Sequence, residues 1–139
     1  MSRSEILLKS VQKFFDDDEN VKHLHDILEK RNGISLRNLE WFITNYSKNN
    51  NLTYNTDNGD IFTVHCSYKS SLDGYSKKLF DPFCRTEKIV FKPHNKNTIN
   101  TTVAQLNFIR WCIKNNIIHY INQHKHILKK KSQPPQTHH

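Results

Sequence analysis

The stretch from Thr101 to Tyr120, TTVAQLNFIRWCIKNNIIHY, limits what this chain can fold into more than any other. Val103, Leu106, Ile109, Ile113, Ile117, Tyr120 and Ile121 recur at spacings of three and four. That puts them on one stripe of a helix with about 3.6 residues per turn. A second stripe, Ala104, Phe108, Trp111 and Cys112, runs beside the first. A helix of this length spans roughly 30 Å, and with most of its girth apolar it has to be wrapped by other elements. Thr102 followed three residues later by Gln105 has the spacing of a capping box and marks the start. The expectation is a long buried C-terminal helix with the rest of the chain folded around it.

Three helices are expected before it. Ser4 can cap a first one carrying Leu7, Val11, Phe14 and Phe15, which the acids Asp16, Asp17, Asp18 and Glu19 interrupt. Those acids precede a second helix, Asn20 to Lys30, where they complement the positive end of its dipole; Asn32-Gly33 stops it. Ile34 before a Ser35 cap, with Leu39 as its staple partner, opens the third. From Leu52 the period changes to two. Leu52 and Tyr54, the turn Asp57-Asn58-Gly59-Asp60, and a returning strand from Ile61 to Tyr68 read as a hairpin with Phe62, Val64, Cys66 and Tyr68 on its inner face. Lys69 to Lys78 reads as a polar loop, and Leu79 to Arg85 as a turn that docks Phe80 and Phe83 while presenting Arg85. Glu87 to Phe91 is a third strand, and Pro93 to Asn97 a turn. The fold class is therefore α+β: three N-terminal helices, a small antiparallel sheet of about three strands, and the long buried C-terminal helix. Residues 1–128 make one globular domain, and residues 129–139 a basic tail, disordered from Ser132 onward.

Leu, Ile, Val and Phe make up 37 of the 139 residues, more than the roughly one fifth below which disorder is the better reading. Three cysteines, Cys66, Cys84 and Cys112, are odd in number and lack paired spacing, which argues for free and mostly buried thiols. Only three glycines are present, and no phosphate-binding glycine loop, HExxH or GxSxG appears. A zinc grouping of His65, Cys66, Cys84 and His94 is awkward, because neighbours on a strand face opposite ways. The expectation is a non-enzymatic protein with no metal and no cofactor. With no run of 18 apolar residues and no signal-peptide pattern, no membrane association is expected, and the location is cytosolic, nuclear or inside a virion.

What stands out chemically is charge: 21 Lys and Arg against 13 acids, a formal net charge of +8. Lys69, Lys77, Lys78, Arg85, Lys92 and Lys96, together with Lys88, fall on the hairpin-and-loop portion. Lys125, Lys129, Lys130 and Lys131 fall on the C-terminal portion. Phosphates need cations within reach rather than a fixed motif, so this set could bind nucleic acid without sequence preference and with strong salt dependence. Tyr75 could stack on a base. The Lys129–Lys131 triplet also suits a nuclear import signal.

The segments GISLRNLEWFITNYSKNN, FDPFCR and TTVAQLNFIRWCIKNN, within residues 33–121, resemble a group of small uncharacterised basic proteins of nucleocytoplasmic large DNA viruses, from marseilleviruses, iridoviruses and mimivirus-like viruses. The resemblance implies a viral protein of the cytoplasmic virus factory or the virion that visits the host nucleus. It transfers no catalytic residues. Joined to the charge, it suggests duplex DNA as the partner, in genome handling or transcription. The alternative is a protein-interaction or virion-structural module, partnered by viral proteins or by a second copy of itself.

Overall fold

Helix α6 (Val103–Lys114) is the centre of the molecule. In the computed structural model, which describes residues 1–93 and 97–132 and only the backbone of 130–132, every residue from Val103 to Cys112 except Gln105 is buried. The Thr102 hydroxyl accepts from the Gln105 backbone N–H at 3.1 Å, the expected start. The reciprocal half of the capping box is absent: the Gln105 side-chain oxygen accepts instead from the Thr101 hydroxyl, and its amide nitrogen donates to the Pro82 carbonyl at 3.0 Å.

The expected single C-terminal helix is divided. Asn116 takes a left-handed backbone, φ 59°, a conformation asparagine adopts more readily than most residues. The chain then continues as α7 (Ile117–Gln123) and α8 (His126–Ser132). Ile117, Ile118, Ile121 and Ile127 still reach the core, so the apolar stripe is kept across the break. The Tyr54 hydroxyl donates to the Asn115 carbonyl, one of the acceptors that a helix end leaves unpaired. Helix α8 runs through Lys129 and Ser132, within the stretch expected as tail, and residues 133–139 lie outside the described residues.

The N-terminal helices are α1 (Arg3–Phe14), α2 (Asp18–Leu28) and α3 (Leu36–Trp41). Ser2, not Ser4, caps α1, and Asp17 caps α2 by accepting from the Glu19 and Asn20 N–H groups. Part of the acidic run is thus a helix cap. Ser35 and Asn38 exchange a full capping box at the start of α3. A π-helical turn, Phe42–Tyr46, and a short α4 (Ser47–Asn49) complete that segment.

The β content differs most from expectation. Strands β1 (Thr53–Asn55) and β2 (Ile61–Thr63) pair antiparallel, with Tyr54 opposite Phe62, around a turn where Gly59 has φ 84°. The expected returning strand stops at Thr63, and residues Val64–Tyr75 form helix α5. Val64, Tyr68 and Leu72 are four apart, a spacing common to strand alternation and to one helix face, and Tyr75 extends only the helical pattern. All four lie on the inner side of α5 and pack on the core. Cys66, which alternation would bury, is exposed. Strand β3 (Lys88–Phe91) pairs antiparallel with β4 (Ile99–Thr102), so there are two separate two-stranded sheets among the described residues in place of one of about three strands. Thr98-Ile99 is too short a stretch to read as a strand by itself, and the partner that extends it to Thr102 overlaps the helix cap. Of the three thiols only Cys112 is buried, and burial pushes it well above its ordinary pKa. Among the described residues no helix is long and apolar enough to cross a membrane.

Candidate nucleic-acid interface

The segment joining α5 to β3 carries Lys77, Lys78 and Arg85, all exposed. Its conformation is set by α6. The Asn107 amide donates to the Leu79 carbonyl at 2.9 Å, the Asp81 N–H donates to the Ala104 carbonyl at 3.3 Å, and Gln105 holds the Pro82 carbonyl. Three bonds from the first turns of α6 therefore fix residues 79–82. Phe80 is driven into the core beside Phe108 and Trp111. The Asp81 carboxylate accepts from the Phe83 N–H at 2.9 Å and turns the chain outward. Phe83, expected to dock beside Phe80, is instead 47% exposed: once Phe80 is seated, the turn at Asp81-Pro82 points the second ring away.

Lys88 and Lys92 are exposed on β3 and just beyond it. Residues 76–92 thus hold five cations against two acids, Asp81 and Glu87. Among the described residues none of these five is in an ion pair. Lys69 is exposed on α5 rather than in a loop. Its charge and that of Lys48 act on His65, whose pKa lies below its ordinary value, first through desolvation and then through these two ammonium groups. Lys48 was not singled out by sequence, since nothing there places the end of α4 against α5. Tyr75 is stacked on Phe80 at 6.0 Å and half-buried. The ring available for a base in this region is Phe83.

The second set of cations lies elsewhere. Lys125 donates to the Asn32 carbonyl at 3.0 Å, tying the α7–α8 junction to the loop after α2, and Lys129 is exposed on α8. These follow the C-terminal end of α6, whereas Lys78 lines a small cleft with Ser4, Thr102 and Val103 at its N-terminal end. Lys125 and Lys129 thus sit on other elements than the cations of residues 76–92. Lys96 and the side chains of Lys130 and Lys131 lie outside the described residues.

Acids collect near the C-terminal end of α6. Glu19 from the first turn of α2 and Asp57 from the β1–β2 turn line one cavity of about 390 Å³ with His23, Asn116 and His119. Asp18 shares the first turn of α2, Asp16 and Asp17 lie in the α1–α2 turn, and Asp60 in the β1–β2 turn.

Residues 1–136 match the model of a family of unknown function, DUF7197, an extent that takes in the N-terminal helices as well as the motifs within 33–121. The chain is similar to the uncharacterised protein L507 of Acanthamoeba polyphaga mimivirus, 43% identical over 134 residues. That match covers 88% of this chain and 51% of L507, so the chain spans about half the length of that relative. No solved structure matches.

Proposed function

The chain belongs to DUF7197, a family of unknown function, and is similar to an uncharacterised mimivirus protein, and from that premise we propose that it is a non-enzymatic nucleic-acid-binding protein that holds duplex DNA during genome handling or transcription. The virus factory or the virion is its place of work. The observation that supports this reading is the basic segment held at the N-terminal end of α6. Lys77, Lys78, Arg85, Lys88 and Lys92 stand without ion-pair partners among the described residues, on a segment fixed to that end. At the other end Glu19 and Asp57 are accompanied by His23 and Lys114. Surplus charge kept only for solubility has no need of so fixed a segment. A phosphate backbone does, because it is held by cations presented together.

Filter binding of a duplex at two salt concentrations tests the proposal. Affinity falls with salt, and changing Lys77, Lys78 and Arg85 to Ala makes the logarithmic salt dependence shallower by about 0.9 for each phosphate that is no longer neutralised. Retention that ignores salt, or that survives the triple change intact, would favour a protein-interaction module instead.

A further inference from the structure

Arg110 is unlike the other cations. It projects from the middle of α6, is 9% exposed, and has no carboxylate partner among the described residues. Its Nη1 donates to the Ser10 hydroxyl on α1 at 2.6 Å and its Nη2 to the Asn107 side-chain oxygen at 2.8 Å. Both acceptors are neutral. Burial lowers its pKa and the neighbouring Tyr75 hydroxyl opposes that shift, yet a guanidinium keeps its proton in proteins. A buried charge without a counter-charge is costly, and chains hold such groups where something else supplies the missing charge.

The same residue lines an open cleft of about 300 Å³ between α1, the end of α5 and α6. Arg3 reaches it from the first turn of α1, oriented by donation from its Nη2 to the Gly74 carbonyl at 2.8 Å. Ser10 and Tyr75 add hydroxyls, while Ile6, Leu7 and Leu79 form an apolar wall. No acidic residue is among the lining. Two arginines and two hydroxyl-bearing residues therefore line a space with one greasy side. That is the general form of a small-molecule site, a few fixed polar groups in a mostly apolar cleft, at the small end of the usual size range. Arginine forks match the planar geometry of phosphate and carboxylate, and Arg110 gives three of its five donors to Ser10, Asn107 and the Tyr75 hydroxyl, leaving two for a ligand.

We propose that this cavity binds a small organic anion, its phosphate or carboxylate head between Arg110 and Arg3 and its apolar body against Ile6, Leu7 and Leu79. This site is separate from the exposed cations of residues 76–92 and does not depend on DNA binding.

The test is an NMR titration of the full chain with phenyl phosphate, benzoate, inorganic phosphate and, as a neutral control, benzyl alcohol. Phenyl phosphate or benzoate should bind saturably, with shifts concentrated at the Arg110 Nε–H and at Leu7 and Leu79. Whichever of the two binds more tightly identifies the head group, and the head alone should bind more weakly than the pair of head and ring. Arg110→Met should weaken binding on the order of tenfold to a hundredfold, the loss expected for charge-assisted hydrogen bonds. Ile6→Glu, at a position 56% exposed on the rim, should weaken it by repulsion without touching the core, and it carries the test alone if the Arg110 variant does not fold. No saturable binding of either organic anion, binding equal to that of benzyl alcohol, or affinity unchanged in the variants would make Arg110 a strut between α1 and α6 and end the proposal.

Discussion

The two ends of α6 are built from the same helix and differ in how they are finished. At the N-terminal end, polar side chains on α6 itself, Gln105 and Asn107, reach out and fix a separate basic segment. At the C-terminal end the arrangement is reversed: a tyrosine from the β1–β2 hairpin reaches in to the Asn115 carbonyl, and Asn116 redirects the chain. Tyr54 stacks on Tyr120 at 5.3 Å there, and Tyr120 on His124 at 4.2 Å. One end presents cations on a fixed platform. The other packs rings beneath acidic turns. The lesson is that a net charge of +8 says little until the anchoring of each charged segment is known.

The comparison breaks most directly at Asn107. Replacing it with Leu leaves the Leu79 carbonyl and the Arg110 guanidinium each short of a buried partner, and at about 1–3 kcal/mol for each orphaned group the loss should reach about 2–4 kcal/mol. Chemical denaturation measures it. Phe83→Ala, on the outward side of the same turn, should change stability by no more than about 0.5 kcal/mol. Equal losses from the two would mean that the segment is not held as described.

Next in size is the effect of charge. Lys77, Lys78 and Arg85 changed together to Ala should lower duplex affinity by on the order of tenfold or more at low salt, with stability within about 0.5 kcal/mol of the parent. The matching change at the other end, Asp57 and Asp60 to Asn, should leave affinity equal or raise it slightly. Were the acidic-end variant to lose binding and the basic-end variant to keep it, the assignment of the two ends would be inverted.

A smaller effect separates the ends by packing alone. Tyr54→Phe removes the bond to the Asn115 carbonyl at a half-buried site and should cost about 0.5–1.5 kcal/mol. Burial raises the pKa of this phenol far above its ordinary value, so the loss should be the same throughout the neutral range. A loss that varied with pH there would mean that a different group is being read.

How much of this was legible beforehand depends on which periodicity a segment carried. The stripe of α6 was readable because residues from Val103 to Ile121 repeat it over many turns. The break at Asn116 was not, because the isoleucines on either side keep the same stripe and only a left-handed asparagine marks the change. Helix α5 was missed for the opposite reason: Val64, Cys66 and Tyr68 satisfy strand alternation locally, and the residue that speaks against it, Tyr75, lies further along the chain. The cations of the basic segment were legible singly. Their separation from Lys125 and Lys129 is a tertiary fact, as is the meeting of Arg110 with Arg3 across α1 and α6, which no spacing in sequence announces.

The last prediction uses pH to sharpen the contrast. His65 sits on α5 with Lys48 and Lys69 acting on it, and its pKa is below the ordinary 6.5. The unfolded chain therefore binds the proton more readily than the folded one. The stability tied to this group is whole above pH 6.5 and is lost as pH falls through the folded value. NMR titration of the His65 ring should show the lowered value, and Lys69→Ala should move it part of the way back, with desolvation holding the remainder. If a phosphate backbone settles on Lys48 and Lys69, their repulsion is offset and the ring should titrate higher in the presence of duplex. A duplex that leaves His65 where it was would place the nucleic acid away from Lys48 and Lys69.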